Sequence, residues 1–176
     1  MDFNQISPVG EGRDTVRVVI ETSRGSRNKY HYDPDHGVFT LKKILPDGHI
    51  FPFDFGFIPQ TRGEDGDPLD VLVMMDAPAF AGCVVECRLI GVLQARQTRD
   101  ARMVRNDRFI AVADGSIAFR RYRDIGDIEP DLVDQIRHFF VSYNEREGKQ
   151  FEVLQLLGAK EADDAVRAAP GGTYME

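Results

Sequence analysis

The order in which strand-forming and helix-forming segments follow one another constrains this chain more than any other feature. Thr15 to Glu21 reads Thr-Val-Arg-Val-Val-Ile-Glu, β-branched and partly alternating, and after a loop at 23–28 the segment Lys29-Tyr30-His31-Tyr32 continues the pattern. Val38 to Ile44, Asp70 to Met75, Cys83 to Val92 and Arg108 to Ala113 are further strand candidates, each bounded by Gly, Pro or Asp. A convincing helix comes only afterwards. It opens near Pro130, a residue suited to a first helical turn, carries Leu132, Ile136, Phe139, Phe140 and Tyr143 at helical spacing, and meets a stop at Gly148. A shorter helix is expected over Lys160 to Ala169, closed by Pro170-Gly171-Gly172. Strands first and helices last predict a mainly β chain of the α+β class, a sheet or barrel with helices packed on one side.

No repeat, low-complexity segment or long Gly/Ser linker divides the 176 residues, so residues 1–176 are expected to form a single domain. A net charge of −7, the lack of tryptophan and the lack of a basic-aromatic stripe argue against a nucleic-acid partner. No apolar run approaches the ~18 residues that a membrane helix needs, and the first thirty residues lack a signal-peptide core, so a cytoplasmic protein without a membrane partner is expected. Cys83 and Cys87, four apart on a predicted strand, would have Cα atoms ~13 Å apart. That exceeds the ~7 Å limit of a disulfide, so both are expected to be reduced core thiols. His31, His36, His49 and His138 show no zinc-type spacing.

Chemistry concentrates in one acidic run. Glu64, Asp65, Asp67 and Asp70 fall on a segment held by Gly66 and Pro68, directly before the apolar Val71-Leu72-Val73. Two carboxylates ~5 Å apart repel by roughly 3 kcal/mol at an effective dielectric near 20, so a preformed cluster calls for protons, basic partners or bound cations. Hard oxygen donors select Mg²⁺, Mn²⁺ or Ca²⁺. A solvated acidic turn is the plain alternative for such a run. An EF-hand loop is another, but counted from Asp65 it has Leu69 at position 5, Asp70 where glycine is required, Asp76 in place of the final glutamate, and Pro68 inside.

The run Asp65-Gly66-Asp67-Pro68-Leu69-Asp70-Val71 resembles the signature of the family I soluble inorganic pyrophosphatases, D-(G/S/N)-D-(P/E)-apolar-D-apolar, at every position. Val18-Val19-Ile20-Glu21, Lys29-Tyr30, the segment Phe51 to Pro59, Gly91-Val92-Leu93 and His138 to Tyr143 resemble other segments of that family in the same order, so the likeness extends from about Val16 to Gly158. The resemblance implies a five-stranded OB-type closed β-barrel with two helices of the C-terminal half packed outside. It implies hydrolysis of pyrophosphate to two phosphates by a metal-activated water, with Mg²⁺, or Mn²⁺ or another divalent cation, as cofactor. It implies Asp67 as general base, with Asp65, Asp70 and Glu21, and in a later segment Asn106 and Asp107, as the metal set. Lys29, Lys43, Arg108 and Tyr143 would contact substrate, although Tyr143 also sits on the apolar stripe of its helix, where core packing would suit it as well. A homo-oligomer is implied too, bacterial members being commonly hexamers.

The chain also departs from the family pattern. His31 stands where a glutamate is usual and Lys43 or Lys42 where an arginine is; Phe51 and Phe55 replace tyrosines, and Asn144 follows Tyr143 where lysine is common. Gln97 takes the place of a metal-binding aspartate, a short insertion falls within Thr98 to Asn106, and Asn106-Asp107-Arg108 resembles the family's Asp-x-Lys. Neutral amides in place of carboxylates predict weaker metal sites and reduced or altered activity. The alternative is a catalytically weakened module that binds phosphate compounds or divalent cations.

Overall fold

β-Branched runs become fully buried strands only where both of their faces are covered. In the computed structural model, which describes residues 2–12 and 14–170, the strands are β1 (Val16–Thr22), β2 (Asn28–Asp33), β3 (Val38–Ile44), β4 (Asp54–Ile58), β5 (Leu69–Met74), β6 (Val84–Arg99), β7 (Arg102–Arg105), β8 (Arg108–Ala113) and β9 (Phe151–Gly158). The helices are α1 (Pro130–Glu145), which precedes β9, and α2 (Ala159–Ala168), which follows it. β1, β4, β5, β8 and β6 pair in that order and β6 returns to β1, so five strands close into a ring. The step from β5 to β8 is parallel and the others are antiparallel. The expected architecture is therefore present.

Alternate residues of β5 feed two apolar clusters: Val71 and Val73 join Ala162 and Val166 of α2, while Leu72 and Met74 join Ile136, Phe139 and Phe140 of α1. Coverage on both faces explains why these strands read as continuous apolar runs and not as an apolar-polar alternation. Gly56 allows β1 and β4 to approach closely, since a Cβ there would collide with the Val19 carbonyl. Pro130 occupies the first turn of α1, and Gly148, just beyond it, takes the left-handed conformation at φ +68°.

Several expectations need revision. β4 and β9 were not among the strand candidates, and β6 does not stop at Val92 but runs to Arg99. Its first half lies in the ring; its second half leaves it to pair with β9 and β7. The segment in which the resemblance implies an insertion forms the β6–β7 hairpin, turned by Asp100 and Ala101 at φ +48° and +62°. Both central residues of this turn are left-handed, as in type I′ hairpins, without the usual glycine. Cys87 is a buried core thiol, but Cys83 precedes β6 and is only half-buried; both are free. Gly171 and Gly172 lie outside the described residues. Among the described residues no helix is long and apolar enough to cross a membrane.

Candidate active site

The register of the ring assembles the acidic end of the site. The parallel pairing of β5 with β8 sets Asp70 against Arg108, whose Nη1 lies 2.6 Å from Asp70 Oδ2. In the loop before β5, Gly66 adopts φ +88°, a conformation that glycine tolerates best, and the Asp67 N–H donates to Asp65 Oδ1 at 3.2 Å. The turn thus holds its two aspartates in fixed relation. From the end of β1 the buried Glu21 presents Oε1, which accepts the Tyr32 N–H at 2.7 Å and lies 3.3 Å from His31 Nδ1.

The β2–β3 hairpin supplies the basic end. Lys29 and Lys43 are register partners, and their like charges are brought together over aromatic rings. The Lys29 ammonium lies 5.3 Å from the Phe55 ring centre and 5.5 Å from that of Tyr143, while Lys43 lies 4.2 Å from the Tyr143 ring and pairs with Glu147. Tyr143 is buried on the apolar face of α1, yet its hydroxyl has no hydrogen-bond partner among the described residues. Nor has Oδ1 of the neighbouring buried Asn144, whose Nδ2 donates to the Phe140 carbonyl at 2.8 Å.

A cleft of about 650 Å³ collects Glu21, Lys29, Lys43, Asp65, Asp67, Asp70, Asn106, Arg108 and Tyr143. Every candidate site residue except Asp107 lines it. The Asp107 carboxylate is engaged elsewhere: Oδ1 accepts the Ala95 N–H at 2.9 Å and pairs with Arg105 Nε, at the edge of a smaller cavity of about 170 Å³. Sequence reasoning did not single out Arg99. From the β6–β7 hairpin it reaches the acidic loop, donating to the Asp65 carbonyl and, at 3.1 Å, to Asp67 Oδ2.

The electrostatics follow from crowding and burial. Burial pushes the Asp70 carboxyl above the ordinary carboxylate range against the pull of Arg108 and Lys29, and burial raises Asp65 with help from the Asp67 charge. His31 is raised by its hydrogen bond to Glu21. Burial, and then the ammoniums of Lys29, Lys149 and Lys42, bring Lys43 down to about 7.

Carboxylate and amide oxygens make a donor set suited to a hard divalent cation, with no thiol in the lining of the cleft. Among the described residues no three His, Cys, Asp or Glu side chains close around a single point. A cation here would keep much of its shell for water and substrate oxygens, as Mg²⁺ habitually does.

A family model described as inorganic pyrophosphatase matches residues 18–171. The chain belongs to that family. The inorganic pyrophosphatase of Thermus thermophilus is 40% identical over 167 residues, covering 92% of each chain, and that of Nostoc sp. is 36% identical over 163 residues, covering 93% of this chain and 92% of the other. The crystal structure of the Thermus thermophilus inorganic pyrophosphatase matches with a TM-score of 0.87 at 36% identity over 96% of both chains. Against the pyrophosphatase signature the departures fall on particular parts of the cleft. His31 lies beside Glu21, Phe55 lies under the Lys29 ammonium, and Gln97 and Asn106 lie together, the Asn106 Nδ2 donating to Gln97 Oε1 at 3.2 Å.

Proposed function

We propose that this chain hydrolyses inorganic pyrophosphate to two phosphates, with Asp67 accepting the proton of the attacking water. The observation that carries the reading is one cleft in which a cluster of carboxylates faces several lysines, two arginines and a buried tyrosine hydroxyl without a partner among the described residues. A dense polyanion matches the second group and its activating cations match the first. Asp65, Asp70 and Glu21 would hold Mg²⁺ or a similar divalent cation, which would supply neutralisation of substrate oxygens and acidification of a nearby water, while the Asn106 amide oxygen accepts from Arg108. Asp107, engaged by Ala95 and Arg105, is not needed in that set.

Asp67 suits the role of base because its side chain is 54% exposed, so water can reach it. An ordinary carboxylate suffices when the water is already acidified. Lys29 and Lys43 would bind the phosphate being released, and the unpartnered Tyr143 hydroxyl would donate to one of its oxygens. The Arg108 fork is placed to stabilise charge between Asp70 and the substrate. Purified protein with Mg²⁺ and pyrophosphate should release phosphate, and Asp67→Asn should remove most of the rate. Absence of release across Mg²⁺, Mn²⁺ and Zn²⁺ overturns the proposal. Self-association into a hexamer is part of the same reading, and analytical ultracentrifugation checks it.

A further inference from the structure

We propose that the Arg108 guanidinium is a built-in cation that takes the place of one divalent ion, so that Gln97, Asn106 and Arg108 are a single coupled exchange and not three separate losses. The inference rests on the pyrophosphatase reading of the cleft. Arg108 is only 5% exposed. Its Nη1 lies 2.6 Å from Asp70 Oδ2 and also donates to Asn106 Oδ1, while Nη2 donates to Gln97 Oε1 at 3.3 Å. One carboxylate and two amide oxygens, the donors a hard cation would use, therefore converge on one guanidinium.

The charges close without an added ion. Asp70 contributes one negative charge, the two amides none, and the guanidinium one positive. Aspartates at 97 and 106 would bring this group to three negative charges against one positive, and a bound cation would then be required to balance it. The fork is also held in place. Phe140 and Phe151 ring centres lie 5.4 and 5.5 Å from the guanidinium carbon, and the Asp107 carbonyl accepts from Nη1 at 3.0 Å. A lysine ammonium is a compact point charge and lacks the planar spread that lets one arginine satisfy oxygens on three segments of chain.

The test counts metal ions on the intact protein in the absence of substrate. Calorimetric titration with Mn²⁺, and metal analysis after gel filtration, compare the wild type with the triple exchange Gln97→Asp, Asn106→Asp, Arg108→Lys. The triple variant should bind at least one more Mn²⁺ per chain; equal numbers overturn the inference. Arg108→Met gives a second arm with one side chain changed: the weakest Mn²⁺ should bind tenfold tighter or more, and unchanged or weaker binding overturns the inference. Phosphate release from pyrophosphate, measured on the same wild-type sample, keeps the two readings apart. Release with equal Mn²⁺ numbers removes the built-in cation and leaves the reaction. Unequal numbers without release remove the reaction and leave the cation.

Discussion

The two walls of the cleft handle collected charge in opposite ways. On one, β1, β5 and the loop before β5 bring together Glu21, Asp65, Asp67 and Asp70, matching the family signature. On the other, β6 carries Gln97 and Arg99, the link between β7 and β8 holds Asn106, and β8 begins at Arg108; Gln97, Asn106 and Arg108 stand where the family pattern has two aspartates and a lysine. The walls are cross-linked, Arg108 to Asp70 at 2.6 Å and Arg99 to Asp67 at 3.1 Å. A site can therefore lose carboxylates on one side without collapsing, provided the cation it keeps can satisfy the oxygens that remain. What differs between the walls is which charges are free to exchange: a metal ion can leave, whereas a buried guanidinium cannot.

Asp67→Asn probes the acidic wall most severely. Loss of a general base typically removes a factor of ~10²–10⁴ in rate. The Asp67 side chain is largely exposed, so kcat for phosphate release should fall by about that factor while the melting temperature stays within a degree or two. An equal fall in both would make Asp67 a structural residue and dissolve the contrast between the walls. Tyr143→Phe tests the basic end with a smaller expected effect. Its hydroxyl has no partner among the described residues, so removing it should leave stability unchanged or slightly raised, while loss of a hydrogen bond to a charged phosphate, roughly 1.5 kcal/mol or more, should raise KM about tenfold. A falling melting temperature with constant KM would return Tyr143 to the core.

The acidic wall was readable in the sequence because its residues are close along the chain and lead into an apolar strand. The ring was readable for a similar reason, since strands buried on both faces are written as short continuous apolar runs. β4 was missed because Gly56 falls inside it and Pro52 and Pro59 flank it closely, although Gly56 is there to permit the contact with β1. β9 was missed because its exposed polar positions and its place between two helices hide an edge strand. The guanidinium wall was the least legible. Arg99 meets Asp67 only through the register of a hairpin whose turn lacks glycine, and Asp107, beside two cleft residues in sequence, points into a separate network with Ala95 and Arg105.

The lysine pair offers a pH test of intermediate size. Burial and neighbouring ammoniums disfavour the charged form of Lys43, so its proton is held below about pH 7 and lost above it. The Glu147 carboxylate against it acts in the opposite sense. If burial dominates, KM for pyrophosphate should rise severalfold from pH 6 to 8 in the wild type and much less in Lys43→Arg, whose guanidinium keeps its charge throughout. Parallel profiles would show that Glu147 keeps the ammonium charged.

Arg99→Ala carries the smallest expected effect and the sharpest bearing on how the walls communicate. Its side chain is 44% exposed and that of Asp67 54%, so their contact belongs with surface ion pairs of about 0.2–1 kcal/mol. Such a contact competes with cations for the acidic loop without blocking them. Removing it should lower the half-saturating Mg²⁺ concentration by roughly two- to fivefold and leave kcat at saturating Mg²⁺ unchanged. The difference between wild type and variant should shrink as ionic strength rises, since salt screens exposed pairs and spares buried ones. A rise in KM for pyrophosphate, with the Mg²⁺ requirement constant, would instead make Arg99 a substrate-binding residue that rests on Asp67 only when the cleft is empty.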